Sequence, residues 1–113
     1  MKTIIAGSRT ITDYELVKAA IIASQFNITE VVSGTARGVD SLGERWAEEN
    51  KIPIKQFKPD WNTLGKSAGY KRNAEMVEYA NALVAIWDGV SKGTAHTIGL
   101  ARIKGLQIYV HKA

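Results

Sequence analysis

Ser33-Gly34-Thr35-Ala36-Arg37-Gly38-Val39-Asp40 is the stretch of this chain with the densest chemistry: two glycines four apart, two hydroxyls, one guanidinium and one carboxylate. Val31 and Val32 before it read as the end of a buried strand, and an apolar helical pattern begins at Val39. A strand that turns through glycines into a helix can hold a phosphate. The missing side chains let backbone N–H groups approach an anion, and the helix N-terminus adds unpaired donors and a partial positive charge. The same residues also describe a tight turn with no ligand, because lone glycine patterns match by chance.

Two further loops carry similar residues. Gly7-Ser8-Arg9-Thr10 follows the apolar run Thr3–Ala6, and Asp88-Gly89-Val90-Ser91-Lys92-Gly93-Thr94 follows the run Ala82–Trp87. The guanidiniums of Arg9 and Arg72 are the strongest phosphate candidates, since the planar fork makes bidentate contacts. Lys92 between Ser91 and Gly93 is a looser candidate, and the loop is not a GxxxxGK[ST] triphosphate motif. The competing reading of Arg72 is a surface pair with Glu75 or Glu78.

The elements that must position these residues alternate along the chain. Thr3–Ala6, Glu30–Ser33, Ile52–Phe57, Ala82–Trp87 and Leu106–His111 read as short strands. Pro53 and Lys55 of the third place it at an edge, and the continuous apolar run ALVAIW makes the fourth the candidate for a central strand. Between them lie four helical patterns. The first begins at a Thr12/Glu15 capping box and ends near Gln25, with Asn27 able to turn left-handed. The second runs from Val39 to Lys51 with Val39, Leu42, Trp46 and Ala47 inward; its mid-helix Gly43 implies close packing on the sheet. The third spans Ser67–Tyr79, after a loop from Lys58 to Lys66. The fourth spans Ala95–Lys104, capped by Thr94 and ended by Gly105.

Strict alternation of five strands and four helices predicts a Rossmann-like, doubly wound parallel five-stranded sheet flanked by helices. It predicts one domain over residues 1–113, since the chain shows no linker or repeat. In such sheets ligands bind beyond the carboxyl ends of the strands, where the winding reverses. All the glycine loops fall at that end. They bring Gly7, Ser8, Arg9, Ser33, Gly34, Thr35, Arg37, Gly38, Asp40, Asp88, Lys92, Gly93 and Thr94 together, with Arg72 arriving from the third helix.

Composition narrows the partners. A net charge of +4 favours anions without announcing nucleic acid. No cysteine is present, which excludes disulfides and thiolate chemistry and fits a cytoplasmic location. No apolar run approaches the ~20 residues a membrane helix needs, so no membrane partner is expected. No His or carboxylate spacing indicates a metal, and no cofactor is expected.

The three glycine motifs, in this order and over nearly the whole chain, resemble the SLOG superfamily, which includes the DNA-processing protein DprA/Smf and the Lonely Guy (LOG) cytokinin-activating enzymes. The resemblance is nearest to small stand-alone proteins of the YspA type, found in bacteria and phages. It implies a Rossmann-like fold that binds nucleotides or nucleotide-derived ligands. Ser33–Asp40 is similar to the DprA motif SGGARGID, with Thr35 in place of its second glycine. LOG-type enzymes hydrolyse the N-glycosidic bond of nucleoside monophosphates, using an Arg before the fourth strand and then PGGxGTxxE. Arg72 and Gly93-Thr94 fit that pattern, but the position of its Glu holds Thr97, and Trp87-Asp88-Gly89 departs from PGG.

Three functions follow as expectations. The first is binding of a nucleotide or nucleotide-derived small molecule, as in a sensor. The second is N-glycosidic cleavage of a nucleotide, for which Asp88 is the candidate catalytic carboxylate. Asp40 is the weaker one, because a helix-start Asp ordinarily bonds backbone N–H groups. His96 reads as a first-turn helix residue more than as an acid. The third is single-stranded DNA binding of the DprA kind. Trp61, in a loop, is the candidate stacking residue, while Trp87 reads as core. Tyr70 and Tyr79 read as core or homodimer contacts, a homodimer being compatible with LOG-like relatives.

Overall fold

The period-two alternation of β1 (Lys2–Gly7) sends Ile4 and Ala6 to one face of a sheet and Ile5 to the other, and all three are buried. A strand buried on both faces needs helices on both, and the chain supplies them. In this computed structural model, which describes all 113 residues, the order continues as α1 (Tyr14–Ser24), β2 (Glu30–Ser33), α2 (Val39–Glu49), β3 (Ile54–Gln56), α3 (Trp61–Leu64), α4 (Ala68–Tyr79), β4 (Ala82–Trp87), α5 (Lys92–Lys104) and β5 (Gln107–Lys112). A 3₁₀ turn over Gly65–Ser67 joins α3 to α4.

The sheet is wholly parallel, in the order β3-β2-β1-β4-β5. Ile4 pairs with Val32 on one side and Leu83 on the other. From β1 the chain winds outward to β3, then returns across β1 to β4 and β5. The reversal therefore falls between β1 and β4, whose carboxyl ends are Gly7 and Trp87. β1 is the central strand. β4 lies beside it, and Ala82 through Ile86 have no accessible surface. β3 is at an edge, as Pro53 just before it and Lys55 within it predict.

Two cores sandwich the sheet. Val17, Ala20 and Ile21 of α1 and Val39 and Ala47 of α2 pack on Ile5, Val31, Val84 and Ile86. Met76 and Val77 of α4, Ala80 just after it, and Ile98 and Ala101 of α5 pack on Ile4, Val32, Leu83 and Ala85. Each fully buried aliphatic side chain contributes about 1.5–3 kcal/mol. Gly43 has its expected reason: a Cβ there would come within 2.7 Å of Ile5 Cγ2, so α2 lies directly on β1.

Several boundaries differ from the sequence expectation. The Thr12 capping box does not form; Asp13 caps α1 by accepting from the N–H groups of Glu15 (3.1 Å) and Leu16 (3.3 Å). The left-handed residue after α1 is Gln25 (φ 58°), not Asn27. α5 starts three residues earlier than expected because Ser91, not Thr94, is its cap. The expected loop Lys58–Lys66 contains α3, whose cap Asp60 accepts from Thr63 N at 3.2 Å. No helix is long and apolar enough to cross a membrane.

Candidate functional site

Where the winding reverses, a cleft of about 380 Å³ opens between the carboxyl ends of β1 and β4. Gly7, Ser8, Arg9 and Thr10 form the wall from β1; Asp88, Ser91, Gly93 and Thr94 form the wall from β4 and the start of α5. Ala36 and Asp40 close one end, and Arg72, Asn73, Met76 and Thr97 make the floor and far side.

Ser8 ties the two strands' exits together. Its N–H donates to Ile86 O at 3.1 Å, and its Oγ accepts from Asp88 N at 3.1 Å. Asp88 then organises the next turn. Its Oδ1 accepts from Val90 N and Ser91 N, both at 2.8 Å, and these bonds, led by that of Ser91, hold the carboxyl below its usual range. It is thus ionised and committed on one oxygen to loop structure. In the first turn of α5, the N–H groups of Lys92 and Gly93 have no protein acceptor, while Thr94 N and Ala95 N bond back to Ser91.

Arg72 is 8% exposed. Its Nη1 donates to Gly34 O, and its Nε donates to Asn73 Oδ1 at 2.8 Å. Nη2 has no protein partner and is not fully buried, and Arg72 lines the cleft and the hollows beside it. The expected alternative, a surface pair with Glu75 or Glu78, does not occur; Glu78 instead takes Lys104 at 2.6 Å. The other two ion pairs are Lys18–Glu15 and Arg45–Glu49, and no residue of the three lines the cleft. Burial lowers the pKa of Arg72 while Asp40 works the other way, and the guanidinium stays charged.

Asp40 is buried. Burial pushes its carboxyl up to about 6, against the N–H of Ala36 (3.3 Å to Oδ2), the charge of Arg72 and the N–H of Gly7. Its oxygen thus accepts from a backbone N–H of the loop before α2, and no side chain caps the helix itself. A Cβ on Gly34 would lie 2.7 Å from Arg72 Nη1 and 2.9 Å from Asp40 Oδ2, so the two charged groups flank a backbone with no room for a side chain.

The cleft thus gathers Gly7, Ser8, Arg9, Asp40, Arg72, Asp88, Gly93 and Thr94 from the sequence candidates. Gly34 and Thr35 line an adjoining hollow with Arg9 and Arg72. Ser33 is turned to α2, donating to Glu44 at 2.5 Å and accepting from Thr35 N at 3.1 Å. Gly38 is structural: its φ is 73°, and a Cβ there would collide with the backbone oxygens of Ser8 and Arg9. Arg37 is exposed and lies on the far side of the loop, beside Ser41, Glu44 and Gln56; Lys92 is exposed and lines no part of the cleft. His96 is also outside it, edge-on to Tyr70 at 4.6 Å. Trp87 packs on the core and donates to Ser91 O at 3.0 Å, while Tyr79 is bonded to Glu30.

Asn73 is the residue the sequence reading missed. It is buried, accepts from Arg72, and directs Nδ2 to Gly93 O (3.4 Å) and His96 Nδ1 (3.3 Å), joining α4 to α5 behind the cleft. A signal existed: position 73 shares the inward stripe with Met76 and Val77, where an amide needs a partner. Thr97, at the place of the LOG glutamate, is buried against the cleft and donates to Gly93 O at 3.1 Å.

An all-parallel α/β sheet with a cation-bearing polar cleft at its switch point defines a Rossmann-like protein. More narrowly, the chain belongs to the YspA, cpYpsA-related SLOG family, which matches residues 1–63, the segment from β1 into α3. It is 33% identical over 117 residues to the Gene 61 protein of Mycobacterium phage D29, covering 95% of this chain and 93% of that one. The fold is similar to DNA processing protein A (DprA) of Streptococcus pneumoniae, with a TM-score of 0.76 at 18% identity. That likeness covers 96% of this chain and 49% of DprA, so the chain spans about half the length of that protein.

Proposed function

We propose that the cleft binds the phosphate of a nucleotide or nucleotide-derived ligand. The observation that carries this is Arg72: a buried guanidinium without a carboxylate ion-pair partner, one nitrogen left without a protein acceptor, lining a cleft that is also lined by Arg9 and by Gly93, whose N–H is free at the start of α5. Such a cation is satisfied by an anion that arrives from outside. Membership in the SLOG family and the DprA-like fold support a nucleotide- or DNA-related binding role in general.

Calorimetric titration against nucleoside mono- and diphosphates, cyclic nucleotides and inorganic phosphate tests the reading. At least one nucleotide binds, and phosphate competes with it. Arg9→Ala, at an exposed position where folding is unaffected, weakens binding about tenfold or more, the scale of one charge-assisted hydrogen bond. No heat with any of the panel at millimolar concentration removes the proposal.

A second reading, hydrolysis of the N-glycosidic bond, is favoured by one observation: Asp88 is held ionised at the cleft wall, where an anion would stabilise an oxocarbenium-like ribose. Thr97 in place of the LOG glutamate speaks for binding alone. Incubation with nucleoside monophosphates decides between them: free base that disappears in Asp88→Asn means chemistry, and intact nucleotide means binding.

A further inference from the structure

Outside the phosphate cleft, the short helix α3 holds Trp61 50% exposed at the rim. The other large exposed apolar side chains are Ile22, Val90, Ile103 and Tyr70. Of these only Tyr70 lines a hollow with Trp61. Two hollows meet at the indole: one of about 220 Å³ toward Thr35, Lys58 and Pro59, the other of about 340 Å³ toward Lys66 and Tyr70. Both are also lined by Arg9 and Arg72, the two guanidiniums of the inner cleft. The hollows and the cleft are therefore one groove, with the cations at the junction and the indole beyond them.

The backbone that carries the indole is capped, and the ring lies beside α4. Asp60 caps α3, and the ring edge passes Gly69 at the start of α4, where a Cβ would touch Cη2 at 3.4 Å. A half-exposed aromatic face next to a phosphate-sized cation pair fits a ligand that carries a planar ring a short link away from an anion. Resting on the phosphate reading above, we propose that Trp61 is the base platform of the site, so that the ligand is a nucleoside phosphate with its phosphate at Arg9 and Arg72 and its base stacked on the indole.

The surroundings also set the specificity. No carboxylate or free carboxamide lines either hollow at the indole. Asn73, the one amide nearby, has its oxygen on Arg72 and its nitrogen directed to Gly93 O and His96. Bidentate reading of a base edge needs such groups, whereas stacking needs only a π-face. The platform therefore accepts all four bases within a few-fold, with purines ahead of pyrimidines through their larger face.

The test compares ribose 5-phosphate with the four nucleoside 5′-monophosphates on wild type, Trp61→Phe and Trp61→Ala. The nucleotides bind more tightly than ribose 5-phosphate by on the order of ten- to a hundredfold. Trp61→Ala removes that advantage and leaves ribose 5-phosphate binding unchanged, and Trp61→Phe keeps most of it. Equal affinity for sugar phosphate and nucleotide, or an advantage that survives Trp61→Ala, overturns the platform and leaves the phosphate reading standing. Failure of every phosphate compound to bind overturns both. A preference of a hundredfold or more for one base contradicts the stacking-only specificity.

Discussion

At the scale of single residues, Arg72 and Asp40 set the electrostatics of the cleft. They approach each other across Gly34 without forming an ion pair, so each keeps capacity for something else. Asp40 is the buried anion of the two, and its ionisation is unfavourable. Its folded pKa of about 6 lies above the ordinary 3.8, so the native state holds this proton more tightly than the unfolded chain. The stabilisation from protonated Asp40 is full below about pH 4 and is lost as pH rises through about 6. A rise of that size corresponds to about 3 kcal/mol at most. Asp40→Asn keeps a carbonyl acceptor for the Ala36 N–H while removing the charge. Urea unfolding of variant and wild type from pH 4 to pH 7 measures the consequence. The stability of the variant, taken relative to wild type at each pH, rises by on the order of 2–3 kcal/mol across that range. A difference that stays constant from pH 4 to pH 7 means that Asp40 titrates normally.

At the scale of elements, the glycine loops are shaped by contacts that substitution would break. Gly38, at φ 73°, opens α2 where a Cβ would lie 2.4 Å from Ser8 O and 2.6 Å from Arg9 O. Those oxygens belong to the wall of the cleft, so Gly38→Ala both strains φ and displaces that wall. We expect it to destabilise by about 2 kcal/mol or more and to weaken ligand binding, read by thermal unfolding and by titration. Elements with strong periodicity were legible in the sequence: β2 and β4 fall on their expected residues, and α2 starts at Val39 as expected. The misses share a cause. Asp13 lies beside Thr12, and Ser91 three residues before Thr94, and which oxygen reaches the free N–H groups is decided by chain entry angle, which spacing does not encode. α3 is a single capped turn, too short to show a period. In the site, Gly7, Arg9 and Gly93 line the cleft because topology alone gathers strand ends. Arg37 and Lys92 fall outside the cleft, because the direction of a loop side chain depends on turns such as the left-handed Thr35 (φ 64°). Thr35 stands where the similar DprA motif has glycine, and it keeps the left-handed backbone that glycine would adopt freely.

At the scale of the molecule, the return of the chain across β1 to β4 leaves a cleft at the strand ends, and four of the chain's cations stand around it. Arg9, Lys58, Lys66 and Arg72 line the cleft and its adjoining hollows, with Lys92 exposed at the start of α5. On the phosphate reading proposed above, whether this rim holds one phosphate or a strand of them is a question of how many cations act at once. A single nucleotide held by Arg9 and Arg72 releases few counterions. A single strand tracking the whole rim would engage about five charges, and log affinity would then fall with log salt at a slope of about −3.5, taking about 0.7 per phosphate. Fluorescence anisotropy of a labelled oligothymidine, titrated between about 50 and 300 mM salt beside a labelled mononucleotide, separates the two. The cleft reading predicts shallow slopes for both ligands and an oligonucleotide that binds no more tightly than the mononucleotide. A steep oligonucleotide slope, abolished jointly by Lys58→Ala and Lys66→Ala, would instead make the rim a strand-binding surface with the cleft as one station along it.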